Sequence, residues 1–119
     1  MPTPEDKVKN EIHKELRNAG CIRAGTSEGK WPDSVHGWYY MPVKGTAMGV
    51  NGIPDFVGFR TVEVTPDMVG QRVPLFFAIE AKAPGKLNNL SANQKLRLAE
   101  MSAAGYACLV SAGTNTVTT

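Results

Sequence analysis

The sequence has few cysteines, and the two it has are far apart. Cys21 and Cys108 are the only ones among 119 residues, and neither belongs to a Cys-x-x-Cys pair. This excludes a disulfide framework and a paired-cysteine metal site. We therefore expect two free, buried thiols in a protein of the reducing cytoplasm.

Long apolar runs and strong net charge are also missing. No segment approaches the roughly 20 apolar residues that span a bilayer, and residues 1–7 lack the basic-then-apolar pattern of a secretion signal. We expect no membrane partner. The formal net charge of +2 permits a nucleic-acid partner without requiring one. The length suits a single domain, spanning residues 1–119, with a core of its own.

The most informative feature present is a charged interruption at the end of an apolar strand. Residues 75–79 read as a central buried strand and run directly into Glu80, Ala81 and Lys82. Side chains alternate along a strand, so Glu80 and Lys82 share a face. With Asp55 on a neighbouring strand, two carboxylates and an ammonium would form a minimal site for a divalent metal and an activated water. Alternatively, the Glu/Lys pair simply meets solvent at a strand end.

The N-terminal segment predicts an amphipathic helix. Thr3 can cap it, Pro4 suits its first position and Gly20 ends it. Glu5 falls on the apolar stripe, either as a first-turn acid or as a third carboxylate turned toward the site, whereas His13 falls away from the stripe. The stripe consists of Val8, Ile12, Leu16 and Ala19.

The next stretch mixes basic and aromatic residues. We expect strands near residues 21–24 and 37–43, joined by a polar loop. Such residues either contact phosphates and unstacked bases or only pack against one another; the histidine among them reads as a surface loop residue. They are Lys30, Trp31, His36 and, after the second strand, Lys44.

A hairpin follows. Residues 56–64 have strand composition, residues 65–71 carry turn chemistry, and the returning strand runs from residue 72 to Lys82. Antiparallel pairing would fold Asp55 back beside Glu80 and Lys82, although the sequence leaves the register open.

The C-terminal part predicts a helix and a strand. Ser91 and Gln94 have the spacing of a capping box, and the helix runs to Gly105. An apolar strand at residues 106–110 would complete a right-handed parallel crossover. Residues 114–119 are expected to fray.

The ordered set of these motifs resembles the VRR-Nuc family of the PD-(D/E)XK, restriction-endonuclease-like nucleases. The matching segments are residues 52–55, 80–82 and 90–95 and Gly105 before the last strand. The resemblance implies an α/β fold with a restriction-endonuclease-like core, of order αβββαβ. Its mixed sheet would combine an antiparallel hairpin with a parallel crossover and be flanked by helices. Stand-alone copies of this size are typical of bacteriophage and prophage genomes.

The chemistry of phosphodiester hydrolysis suits these residues. Mg²⁺ takes one or two carboxylates plus waters and substrate phosphate, which Asp55 and Glu80 can supply, and the Ala81 carbonyl could add a third oxygen. Mn²⁺ could substitute. For Lys82 we favour an electrostatic and positioning role over that of a general base, because two adjacent carboxylates would favour its charged form.

The resemblance assigns roles to further residues. It implies that Glu5 is the acid of the N-terminal helix and binds metal, with Glu11 in its place if the alignment shifts. Gln94 would position Lys82 or phosphate; alternatively, Ser91 and Gln94 explain each other as a helix cap.

The implied function is that of a Mg²⁺- or Mn²⁺-dependent DNA endonuclease. Its substrates would be branched or flapped DNA, Holliday junctions among them, and it would act as a homodimer. One alternative is a catalytically silent DNA-structure-binding module of the same fold, and a sequence-specific restriction-type nuclease ranks last. Candidate phosphate contacts are Arg23, Lys30, Lys44, Arg60, Lys86, Lys95 and Arg97.

Overall fold

Two helices and six strands make up the regular structure of the described part of this chain. The computed structural model describes residues 2–25, 36–43, 51–63, 66–69, 72–113 and 115–118. The elements, in chain order, are α1 (Pro4–Asn18), β1 (Cys21–Arg23), β2 (Gly37–Tyr40), β3 (Phe56–Glu63), β4 (Arg72–Ala81), α2 (Ala92–Ala103), β5 (Ala107–Ala112) and β6 (Asn115–Thr118), with a short 3₁₀ turn at Pro66–Met68.

Both predicted helix starts are confirmed. The Thr3 side chain accepts a hydrogen bond from the Asp6 N–H, the Asp6 side chain accepts one from the Thr3 N–H, and Pro4 occupies the first turn. These bonds satisfy backbone donors that have no partner inside the helix. Ser91 and Gln94 form the same reciprocal box at the start of α2.

The strands form one mixed sheet in which spatial order follows chain order, from β1 to β6. The antiparallel hairpin of β3 and β4 and the parallel crossover from β4 through α2 to β5 are confirmed. β2 also pairs antiparallel with β3, and β1 lies parallel to β2 at one edge. The α/β class and the mixed sheet are therefore as predicted.

The helices cover opposite faces of this sheet. Val8, Ile12 and Leu16 of α1 pack in one buried cluster with alternate residues of β4, among them Phe77 and Ile79. The second cluster contains Leu98 of α2 with Ala78, Cys108 and Val110. Because neighbouring side chains of a strand point to opposite faces, β4 lies between two layers of packing, and its C-terminal end is positioned from both sides.

The expectation of a frayed C-terminal tail is wrong. Residues Asn115–Thr118 form β6, which pairs antiparallel with β5 from Ala112↔Asn115 to Leu109↔Thr118. Gly113 opens the connection with a φ of +83°, a conformation that suits a tight hairpin turn. The β-branched residues after it favour an extended strand. The observed order αββββαββ thus has two strands more than the predicted core order αβββαβ. One is the edge strand β1, which was expected near residues 21–24, and the other is β6.

The cysteines agree with the expectation of free, buried thiols. Cys21 and Cys108 are free and buried, and burial raises the pKa of each thiol. Neither helix in the described parts of the chain is long and apolar enough to cross a membrane.

Candidate functional site

The β3–β4 register brings Asp55 to the end of β4. Phe56 pairs with Ile79, and continuing that antiparallel register by one residue sets Asp55 opposite Glu80. The predicted folding back of Asp55 beside the Glu80-Ala81-Lys82 segment is therefore confirmed. The register that the sequence left open is set by eight consecutive residue pairs of the hairpin.

Asp55 is buried and held by the backbone of β4. The residue is 3% exposed, and its Oδ2 accepts a hydrogen bond of 2.7 Å from the Ala81 N–H. β3 begins at Phe56, so the Ala81 N–H projects beyond the end of the β3–β4 ladder, where the carboxylate can receive it. A short bond to a backbone donor fixes the orientation of the carboxylate.

The Ala81 carbonyl faces the same side of β4. In an extended strand the N–H and C=O of one residue point in one direction, and the Ala81 N–H points at Asp55. The next residue alternates, since the Lys82 N–H donates to Ser111 O of β5 at 2.8 Å. The Ala81 carbonyl oxygen and the Asp55 carboxylate therefore lie on one edge of the strand.

Glu80 and Lys82 share one face of β4, as predicted, and Ala81 lies on the opposite face. Both charged side chains contact Gln94 of α2. The Lys82 Nζ donates to Gln94 Oε1 at 2.9 Å, and the Gln94 Nε2 donates to Glu80 Oε1 at 3.4 Å. Glu80 is 2% exposed and Lys82 is 9% exposed. Both charged groups are therefore buried. The alternative that they simply meet solvent at a strand end is wrong.

Gln94 serves the helix cap and this cluster together. Its Oε1 also accepts the Ser91 N–H at 2.9 Å, while Ser91 Oγ accepts the Gln94 N–H at 3.1 Å. The two alternatives for Gln94 are therefore not exclusive. The cap fixes the side chain in the rotamer that reaches Lys82 and Glu80.

The segment before Asp55 packs directly on the start of α2. Gly52 has a φ of +79°, and a Cβ there would lie 2.2 to 2.6 Å from backbone atoms of Asn93 and Gln94. The Arg97 Nε also donates to Asn51 O at 3.3 Å. Only glycine fits this close backbone approach. The signal in the sequence was the glycine three residues before Asp55, but its contact with α2 could not be read there.

Glu5 is connected to Asp55 by Lys9, a residue that the sequence did not single out. The Lys9 Nζ is 3.5 Å from Glu5 Oε2 and 3.7 Å from Asp55 Oδ1. Partial burial lowers the pKa of Lys9, but the carboxylates of Asp55 and Glu5 outweigh it, so that this pKa lies above its usual value. The available signal was the four-residue spacing from Glu5, which sets both side chains on one helix face.

Glu11, the substitute for Glu5, points elsewhere. Its Oε2 lies 3.3 Å from the position that a Cβ of Gly113 would occupy, beside the β5–β6 turn. Glu5, with its shared contact to Lys9, is therefore the acid of α1 connected to Asp55.

His13 was also missed. Expected to fall away from the apolar stripe, it is half-buried, and its Nδ1 lies 2.8 Å from the hydroxyl of buried Tyr39. Burial lowers the pKa of His13, as do the nearby cations Arg23 and Arg17. A neutral imidazole in an aromatic pocket with Phe56 is a packing element of the α1 face.

The candidate phosphate contacts are scattered. Lys86, which lies between Lys82 and Gln94 in the sequence, and Lys95, which directly follows Gln94, are exposed, as is Arg23 on β1. Arg97 is engaged by Glu100 at 2.6 Å, and Arg60 lines an apolar pocket beneath α1. Lys30, Trp31 and Lys44 lie outside the described residues.

Trp38 and Tyr40 of β2 pack against each other on one face of the sheet. Trp38 lies 5.3 Å from Tyr40 and stacks on Phe59 of β3 at 6.2 Å between ring centroids. His36 is exposed, in agreement with its interpretation as a surface residue.

The metal-binding capacity of the site is limited to few protein ligands. Across the described ranges, no group of three or more His, Cys, Asp or Glu side chains is arranged to hold a metal ion. Asp55, Glu80 and the Ala81 carbonyl are oxygen donors at one strand end, and Mg²⁺ characteristically takes one or two carboxylates and completes its shell with water and phosphate. The donors present fit that ion.

Comparison of the chain with protein-family models, curated proteins and solved structures finds no match.

Proposed function

We propose that this chain is a Mg²⁺- or Mn²⁺-dependent DNA endonuclease with a restriction-endonuclease-like core of the VRR-Nuc type, acting in the cytoplasm. The observation that carries the proposal is the burial of Asp55, Glu80 and Lys82 at one strand end, two of them joined through Gln94. Burying three charged groups is costly and contributes little to stability by itself. A catalytic site is a reason to retain them.

Asp55, Glu80 and the Ala81 carbonyl would hold the metal, with Glu5 reaching it directly or through water. When bound, the ion supplies a Lewis acid and lowers the pKa of a bound water. Asp55 is pre-oriented by the Ala81 N–H, so little reorganisation is needed on binding. Such preorganisation is a main source of catalytic rate.

Lys82 would neutralise negative charge on the phosphate as it develops. Its Nζ is held at 2.9 Å by Gln94 Oε1, and an amide oxygen accepts a hydrogen bond without removing the positive charge. The ammonium therefore stays available as an electrostatic and positioning group. Exposed Lys86 and Lys95, with Arg23, Lys30 and Lys44, are the proposed contacts to flanking phosphates.

The substrate we propose is branched DNA, such as Holliday junctions or flaps, cut by a homodimer. This part rests on the resemblance of the motifs at residues 52–55, 80–82 and 90–95. A two-fold dimer would present two active sites to two strands of a junction.

The test is cleavage of labelled four-way junction, flap and plain duplex DNA with Mg²⁺, Mn²⁺ or EDTA across a salt series. We expect metal-dependent cutting of branched DNA that is lost in Asp55→Ala and reduced about 100-fold or more in Lys82→Ala. Asp67→Ala and Lys14→Ala, at exposed positions, are the matched controls and should cut normally.

Other outcomes separate the alternatives. Binding of junctions without cutting in any metal would identify a DNA-structure-binding module instead, and a fixed cut pattern on linear duplex would indicate a restriction-type nuclease. Cutting that survives both substitutions would refute the residue assignment. Binding that barely changes with salt would contradict recognition through phosphates.

A further inference from the structure

A lysine lies between the two acids proposed to face the metal from the α1 side. The Lys9 Nζ is 3.5 Å from Glu5 Oε2 and 3.7 Å from Asp55 Oδ1, and its side chain is 24% exposed. The Asp55 oxygen that Lys9 approaches is Oδ1, the one not used by the Ala81 N–H. The ammonium thus lies beside the carboxylate oxygen that a metal ion would share.

Lys9 provides a positive charge where one is needed. A buried carboxylate is costly without a nearby counter-charge, and Asp55 is 3% exposed. The contact is nevertheless loose, because tight charge-assisted hydrogen bonds of this type measure about 2.7–2.9 Å. Lysine also has a long, flexible stem, so its head can leave this position without any movement of α1.

The charges of the cluster predict what metal binding would do. Two lysines, Lys9 and Lys82, lie among three acids, Glu5, Asp55 and Glu80. A divalent ion that entered while Lys9 stayed in place would meet a nearby ammonium and leave the cluster with excess positive charge. A DNA phosphate brings the negative charge that offsets this excess.

We infer that Lys9 is a built-in counter-ion of Asp55 that competes with the divalent metal, and thereby makes metal occupancy depend on bound DNA. The inference deepens the proposed nuclease function and rests on it. Lys9 acts here through Asp55 and is a positioning residue. Once displaced, its ammonium remains near the site, where a phosphate is the natural partner.

The test measures Mn²⁺ binding directly, by electron paramagnetic resonance of free Mn²⁺, in folded protein without DNA. We expect Lys9→Met to bind Mn²⁺ about tenfold more tightly than wild type, since a repulsive charge a few ångströms away is removed. Lys9→Arg keeps the charge and should stay within about threefold of wild type. Lys14→Met, an exposed lysine on the same helix, should not change the affinity.

Two further variants keep the experiment decisive. Lys9→Gln is neutral but retains a hydrogen-bond donor for Asp55, and it should bind Mn²⁺ more tightly even if Lys9→Met folds poorly. Asp55→Asn should abolish the site. Adding a phosphorothioate-substituted junction that is not cut should reduce the difference in Mn²⁺ affinity between wild type and Lys9→Gln. The negative charge of the DNA phosphates then offsets the positive charge of Lys9.

The outcomes are distinguishable from failure of the proposed function. Asp55-dependent Mn²⁺ binding that is unchanged or weakened in Lys9→Gln overturns the role of Lys9 and leaves the nuclease proposal standing. Absence of Asp55-dependent binding in wild type and in both neutral variants overturns the inference and the metal site together.

Discussion

The side-chain amide of Gln94 makes contacts at both of its ends. Its oxygen accepts from Lys82 and from the Ser91 N–H, and its nitrogen donates to Glu80. An alanine at this position would remove one of the two hydrogen bonds of the helix cap and the link between two buried charges at once. Separating the two effects needs a variant that removes only the cap.

Ser91→Ala provides that separation. It deletes the hydroxyl that accepts a hydrogen bond from the Gln94 backbone N–H. It keeps the Ser91 backbone N–H, which donates to the side-chain oxygen of Gln94. We expect a loss of about 1 kcal/mol in the free energy of unfolding, as for other N-caps, with DNA cleavage unchanged. Gln94→Ala should lose similar stability and, in addition, about 10- to 100-fold in cleavage rate, the usual cost of losing a supporting contact.

Urea denaturation and single-turnover cleavage measure the two quantities. Equal cleavage rates in the two variants would mean that Gln94 is a helix cap and nothing more.

At the residue scale, the sequence identified residues with unusual chemistry better than it identified their neighbours. Asp55, Glu80 and Lys82 stood out because charges interrupted or preceded apolar strands. Lys9 did not, since an exposed-looking lysine in a charged helix is ordinary. Only the tertiary packing of α1 on the sheet brings it to Asp55.

At the scale of elements, the site depends on how the loop before β3 meets α2. The backbone at Gly52 touches the first turn of the helix, with a φ of +79°. This contact links the Asp55 side of the site to the Gln94 side. Any side chain at position 52 would push the two apart.

Gly52→Ala should therefore be more harmful than an alanine at a glycine of similar backbone conformation. Gly85 is the matched control, because its φ is +82° and nothing lies within 4 Å of its would-be Cβ. We expect Gly85→Ala to cost about 1–2 kcal/mol of stability from backbone strain alone. Gly52→Ala should cost clearly more and also slow DNA cleavage.

Chemical denaturation and cleavage assays on both variants supply the comparison. Equal losses of stability would show that the contact with α2 relaxes freely and does not constrain the site.

Helices, the hairpin and the crossover were predictable because each has a local signal: caps, turn residues or an apolar run. The edge strands were harder. β1 has three residues, too few for a pattern, although it was expected near its true position. β6 was taken for a frayed tail, because a short polar segment becomes a strand only when β5 offers it a partner.

At the scale of the whole molecule, the proposed homodimer is directly measurable. Light scattering after size exclusion should give twice the mass of the chain, and cleavage of a junction should occur on two opposed strands. A monomeric mass at the concentrations used for cleavage would contradict the two-site mechanism and leave single-strand nicking as the expected activity.

The contacts that build the site also determine when it exists. Asp55 meets Ala81 across 26 residues, and Gln94 reaches back 12 residues to Lys82 and 14 to Glu80. Two chain segments, the one from Asp55 to Ala81 and the one from Glu80 to Gln94, must therefore fold back onto the end of β4 before the site is complete. A chain emerging from the ribosome carries no assembled site until α2 has followed β4 out, and any local unfolding of either segment disassembles it. The proposed DNA cleavage would thus be confined to the fully folded chain, and synthesis intermediates would pose no hazard to the DNA around them.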